Sequence, residues 1–159
     1  MQIIFRNVKT NQELIMPVTP PDFTVAEGRA VETLDMTDTG QVNFPGLKSL
    51  FYEQMEFLLP ASGRNYTTGG WTGEPYAVAD RLVEWSNNGD VLRFIVTDTP
   101  VNLPVLLGPV GHGQRDGTGD VYVTLELRQY RELAEANGIK NANLIYPGQV
   151  VKLPDKGSL

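Results

Sequence analysis

Apolar and polar positions alternate in short bursts along most of this chain, and each burst ends in proline, glycine or aspartate. Gln2 to Val8 reads as a strand, Lys9-Thr10-Asn11-Gln12 as a turn, and Glu13 to Val18 as the returning strand. Pro17, Pro20 and Pro21 then stop the ladder, because proline has no N–H to donate to it. A further strand is predicted from Arg29 to Met36, closed by Asp38-Thr39-Gly40, with another at Gln41 to Phe44. Leu47 to Leu59 fits two periods. Phe51, Glu53, Met55 and Phe57 alternate as in a strand, while Phe51, Met55, Leu58 and Leu59 keep helical spacing. The flanking Pro45-Gly46 and Pro60 favour the strand.

Residues 61–73 are rich in Ser, Gly, Asn and Thr and read as a loop ending at Gly69-Gly70-Trp71. A helix is predicted from Pro75 to about Asn87. Proline suits the first helical position, and Ala79, Leu82, Val83 and Trp85 form an apolar stripe. Asn87-Asn88-Gly89 ends it with a residue that takes a left-handed cap at little cost. Leu92, Phe94 and Val96 then face one way, with Arg93 and Thr97 opposite. Asp98-Thr99-Pro100 breaks that strand. Val101 to Val110 is extended but interrupted by Pro104 and Pro109, and Gly111 to Asp120 reads as a long hairpin tip. Val121, Val123, Leu125 and Leu127 alternate with Tyr122, Thr124, Glu126 and Arg128, the pattern of a half-buried antiparallel strand. From Gln129 to Ala136 the spacing turns helical at Tyr130, Leu133 and Ala134.

Composition narrows the function classes. A chain of 159 residues with 16 glycines and 11 prolines suits one turn-rich, β-rich body and a small appendage. No run approaches the roughly 20 apolar residues that span a bilayer, so no membrane partner is expected. The start, Met1-Gln2-Ile3-Ile4-Phe5-Arg6, lacks the look of a secretion signal and predicts synthesis in the cytoplasm. A net charge of −6 with scattered Lys and Arg argues against nucleic-acid binding. With no cysteine and one histidine, thiolate and His-rich metal sites are out of reach.

The C-terminal run carries the most specific signal. Asn137-Gly138-Ile139-Lys140-Asn141-Ala142-Asn143-Leu144-Ile145-Tyr146-Pro147-Gly148-Gln149-Val150-Val151-Lys152-Leu153-Pro154 resembles the second half of a LysM module. The resemblance implies a helix–loop–strand over residues 132–159, appended to a body at residues 1–131. It also implies contact residues at Asn137, Asn141, Asn143, Ile145, Tyr146, Pro147, Gly148 and Gln149. A full module begins with a strand, a Ser-Gly-Asp-Thr-Leu turn and a first helix, which this chain lacks, so little glycan affinity is expected.

The body resembles a family as well. Pro17-Val18-Thr19-Pro20-Pro21-Asp22-Phe23, Val83-Glu84-Trp85, Thr97-Asp98-Thr99-Pro100 and Asp116-Gly117-Thr118-Gly119-Asp120 follow one another as in the LysM-bearing tail proteins of prophages and phage-tail-like bacteriocins. The body is also similar, more weakly, to the tail protein U family of contractile phages. These resemblances imply a structural adaptor between tail tube and baseplate hub, present in several copies in a virion or tail-like particle. Its partners would be copies of itself and tube, hub or baseplate proteins, without catalysis or cofactor. The alternative is a peptidoglycan-binding accessory protein; a small cell-wall hydrolase ranks third.

Other residues have a chemical and a plain reading. His112 lacks an oriented partner and a nucleophile in an elbow pattern, so it reads as an exposed loop histidine. Asp116-Gly117-Thr118-Gly119-Asp120 lacks the ligand positions and terminal glutamate of an EF-hand and reads as a hairpin turn. Glu53 with Glu56, or Asp35 with Asp38, would need to face each other across a cleft to act as glycosidase carboxyls. Trp71 reads as a plug at the core edge rather than a sugar platform. The expected fold class is α+β: an antiparallel β-rich body with one packing helix, followed by the partial LysM helix–loop–strand.

Overall fold

The computed structural model describes residues 1–132. In chain order these form β1 (Ile3–Asn7), β2 (Glu13–Ile15), β3 (Gly28–Met36), β4 (Gly40–Ser49), β5 (Tyr52–Leu59), α1 (Pro75–Asn88), β6 (Leu92–Val96), β7 (Asn102–Leu107), β8 (Gly111–Gly113) and β9 (Val121–Gln129). The fold is α+β, an antiparallel sheet with one helix among the described residues. The main sheet runs β2-β1-β6-β7-β9-β5, and β8 pairs with β9. β3 and β4 form a separate two-stranded ribbon.

One-sided alternation builds the core. Met55, Phe57 and Leu59 of β5 lie directly opposite Leu125, Val123 and Val121 of β9, and all six are buried. Register is fixed here because a slip of one residue would turn the whole apolar set outward. Phe5 meets Phe57 edge to face at 6.1 Å, although β1 and β5 are far apart in the strand order. The sheet therefore curls, as twisted antiparallel sheets do. Phe94 sits within this curl, 5.6 Å from Phe5 and stacked at 6.2 Å on Phe51. Ala79, Leu82 and Trp85 of α1 bury against the same core. The helix starts on Pro75 as expected and ends at Gly89, whose φ of 65° is left-handed.

Several boundaries differ from the sequence reading. Leu47, Lys48 and Ser49 belong to β4, which passes through Pro45 and Gly46, and β5 starts only at Tyr52. A register shift near Arg29 and Val31 absorbs the irregularity, and β4 has a neighbour on one side only, where proline is tolerated. β7 likewise runs through Pro104, opposite Arg93; its ladder with β9 begins at Val105. The hairpin tip is shorter than Gly111 to Asp120, because Gly111–Gly113 pair with Thr124, Val123 and Tyr122 as β8. Gln129 is the last residue of β9 rather than the start of a helix. Its backbone N–H donates to the Phe51 carbonyl at 2.8 Å, which extends the β5–β9 ladder by one more bond.

Asn7 is a buried polar residue that the alternation did not single out. Its Oδ1 accepts from the N–H groups of Lys9 and Thr10, and its Nδ2 donates to Asp90 at 2.9 Å. One side chain thus folds the first turn and ties it to the end of α1.

Candidate functional site

The expected LysM contact residues, Asn137, Asn141, Asn143, Ile145, Tyr146, Pro147, Gly148 and Gln149, lie outside the described residues. Their attachment point is within them. Gln129 is clasped to Phe51 from both sides: its Oε1 accepts from the Phe51 N–H at 2.9 Å, opposite the backbone bond. Tyr130 N–H donates to the Pro104 carbonyl at 2.7 Å. The chain thus leaves the body from a strand and residue already locked into the sheet. Beside this exit, Tyr130 and Glu132 line an open groove of about 520 Å³ with Arg6, Arg93, Val8 and Val91.

A second groove, about 490 Å³, lies between β2 and the first half of α1. Trp71 forms part of its wall, with Ile15, Val78 and Arg81. Trp71 packs on the core and its Nε1 donates to the Pro60 carbonyl at 3.0 Å, so it plugs the core edge as expected. The loop carrying it is fastened by Thr68, whose N–H donates to the Pro17 carbonyl at 2.8 Å.

The candidate catalytic groups are not brought together. Glu53 and Glu56 are three apart on β5 and point to opposite faces. Glu56 instead takes both terminal nitrogens of Arg115, which lies over the Tyr122 ring at 4.3 Å. This hydrogen bonding holds the Arg115 guanidinium above its usual value. Asp35 is on β3, while Asp38 lies in the turn that follows. His112 is exposed, but on β8 rather than in a loop, edge to face with Tyr76 at 6.3 Å. Among the described residues no cluster of three or more His, Asp or Glu could hold a metal ion, and no helix is long and apolar enough to cross a membrane.

The Asp116 turn is a true hairpin tip. Its Oδ1 accepts from the Thr118 hydroxyl at 2.6 Å and from the Thr118 N–H at 3.3 Å. Gly117 and Gly119 carry the positive φ angles, 67° and 84°. Asp120, by contrast, is buried and accepts from the Ala61 N–H at 2.8 Å, joining this tip to the loop after β5. The Thr118 bonds, hydroxyl first, hold the Asp116 carboxyl below its usual value. A lowered folded pKa stabilises the turn above the unfolded value, and that gain is lost as pH falls through the folded one. Carboxyl-resolved NMR titration is expected to show Asp116 titrating low, and Thr118→Val to raise it part of the way back. An Asp116 midpoint that Thr118→Val leaves in place would contradict the assignment.

With this geometry in view, the family comparison is informative. Residues 129–154 match the LysM domain model. The match starts on Gln129, so its first residue is also the last residue of β9. No curated protein matches the chain.

Proposed function

We propose that the chain is a structural component of a contractile, phage-type tail, an adaptor where tail tube meets baseplate hub. It would be present in several copies, in a particle assembled in the host cytoplasm. The observation that carries this reading is the absence of a spacer between the body's sheet and the LysM match. A module that samples wall glycan benefits from a free tether, whereas a clamp between packed subunits needs a fixed direction of exit. The double clasp of Gln129 and Phe51 supplies that direction. The resemblance of the body to LysM-bearing tail proteins points the same way. No catalytic step and no cofactor enter this reading.

The LysM match also favours a second reading, peptidoglycan binding, since LysM domains bind peptidoglycan. One pair of measurements separates them. In the first reading, antibody to the body labels the tail end of purified particles. Tyr146→Ala then weakens particle assembly by removing an aromatic anchor of the kind that dominates interfaces. Washed cell walls retain neither the protein nor the variant. Saturable retention on walls that Tyr146→Ala abolishes, with no labelling of particles, establishes the second reading instead.

A further inference from the structure

β2 is an open edge of the main sheet. Asn7 N–H donates to the Gln12 carbonyl and Met16 N–H to the Ile3 carbonyl, so Gln12, Leu14 and Met16 turn their backbone groups toward β1. Glu13 and Ile15 turn theirs outward, where among the described residues they meet no backbone partner. Outward N–H and C=O groups of this kind are a template for one more strand. Asn11, with a φ of 58°, bounds the edge at one end and Pro17 at the other. Leu14 points to the core and borders the groove walled by Trp71 and Val78. Ile15, on the opposite face, is 39% exposed.

The chain itself holds a segment of matching length and chemistry. Gln149-Val150-Val151-Lys152-Leu153 contains two β-branched residues and is bounded by Pro147-Gly148 and Pro154. It is the one strand expected in residues 132–159, and a single strand leaves its own backbone groups unpaired. Laid antiparallel on β2, it sets Val150 opposite Ile15, Val151 opposite Leu14 and Lys152 opposite Glu13. Pro154 then falls opposite Asn11 and Gly148 opposite Pro17, so both strands stop at the same levels. Laid parallel, it sets Lys152 on Ile15 and Val150 on Glu13, and loses both matched pairs.

The surrounding charges agree with the antiparallel register. Arg6 contacts only Oε1 of Glu13, and Oε2 is in no ion pair among the described residues. Arg93 lies opposite Arg6, so Glu13 stands between these two cations and the open edge. Glu74 and Arg81 border the groove on the side of Leu14, where the segment presents Gln149, Val151 and Leu153 and no charge. Reach is sufficient. Glu132 and Asn11 border one groove, and residues 133–148 lead from there to the segment. Even as one helix they span roughly 24 Å, against roughly 17 Å along the edge. β5 ends the sheet on its other side, but no residue of β5 borders this exit groove.

We propose that residues 149–153 add to the open edge of β2 of their own chain as an antiparallel strand, with Val150 opposite Ile15 and Lys152 opposite Glu13. The contact goes beyond the functional reading and holds whether the LysM segment meets a tail protein or the wall.

The chain has no cysteine, so a designed pair reports alone. Ile15→Cys/Val150→Cys, oxidised with glutathione disulfide, is expected to bridge within one chain, read by non-reducing electrophoresis and intact mass. Directly opposed residues at about 5.5 Å between Cα atoms suit a disulfide. Ile15→Cys/Val151→Cys places the thiols on opposite faces and is expected to bridge at least tenfold more slowly. Hydrogen exchange gives a second reading on the whole chain. Val150→Pro removes a ladder donor. It is expected to speed exchange of the Ile15 amide at least tenfold and to leave the Leu14 amide, which faces β1, unchanged. Equal bridging of both pairs or of neither, or an Ile15 amide indifferent to Val150→Pro, overturns the proposal. Bridging only between two chains overturns it as well and gives the edge to a second copy. Wall retention and particle labelling are read separately, so failure here leaves the functional reading to its own test.

Discussion

A chain cut after Arg131 is expected to fold as the parent does and to lose assembly into particles. The last buried core residue is Leu127, the clasp is at Gln129 and the last backbone bond at Tyr130, so removing residues 132–159 takes none of them. A chain cut after Arg128 is expected to behave differently, although it is only three residues shorter. It loses both bonds between Gln129 and Phe51 and the bond from Tyr130 to Pro104. At about 1 kcal/mol for each hydrogen bond, the loss is about 3 kcal/mol. For a domain of this size that lowers the melting temperature by roughly 10 °C. Circular dichroism melts of the two chains side by side check it. Collapse of the longer chain would place the LysM segment inside the body's core; equal melting would show that the clasp contributes nothing.

Phe94→Ala is expected to be the most damaging single change in the body. Its ring is fully buried and touches both Phe5 and Phe51, which come from different parts of the curl. Truncating a buried Phe to Ala costs about 3–5 kcal/mol, the lost transfer energy plus the cavity left behind. That is a large share of the about 5–15 kcal/mol that holds a typical domain together. Urea unfolding should show a much lower midpoint with an unchanged slope if the native state survives intact. A double-mutant cycle with Phe5→Ala is expected to be non-additive, because both changes enlarge the same cavity. A cost below about 1 kcal/mol would contradict the central position of Phe94.

The parts of this fold that were legible are those where one face is buried and the other is not. β6, β9 and α1 follow directly from Leu92/Phe94/Val96, from Val121 to Leu127, and from Ala79/Leu82/Trp85. The boundary between β4 and β5 was not legible, because Pro45-Gly46 is a stop signal in isolation, while the ladder from Arg29 to Lys48 carries the strand past it. β8 was hidden for a related reason. Gly111-His112-Gly113 has no apolar pattern, and only its partner β9 makes it a strand. At the candidate site, the LysM run was readable because its Asn, Pro and Gly spacing is specific. Its exit from the sheet was not, since the clasp depends on Phe51, distant in sequence, and involves a Gln129 amide of no distinctive pattern. The apolar face of the ribbon was present in the alternation of Leu34, Met36, Val42 and Phe44. What the alternation does not carry is whether anything in the same chain covers it.

β9 is an inner strand, held by eight residue pairs with β5 on one side and by β7 and β8 on the other. Tension applied through the LysM segment enters the body at Gln129 and runs along this strand. Its ladder bonds lie across the direction of pull, so they share the load together and cannot be peeled one at a time from an edge. Forced unfolding is governed by the rate of crossing the unfolding barrier rather than by equilibrium stability. A pull along β9 from Gln129 therefore loads its pairings with β5 on one side and with β7 and β8 on the other in shear.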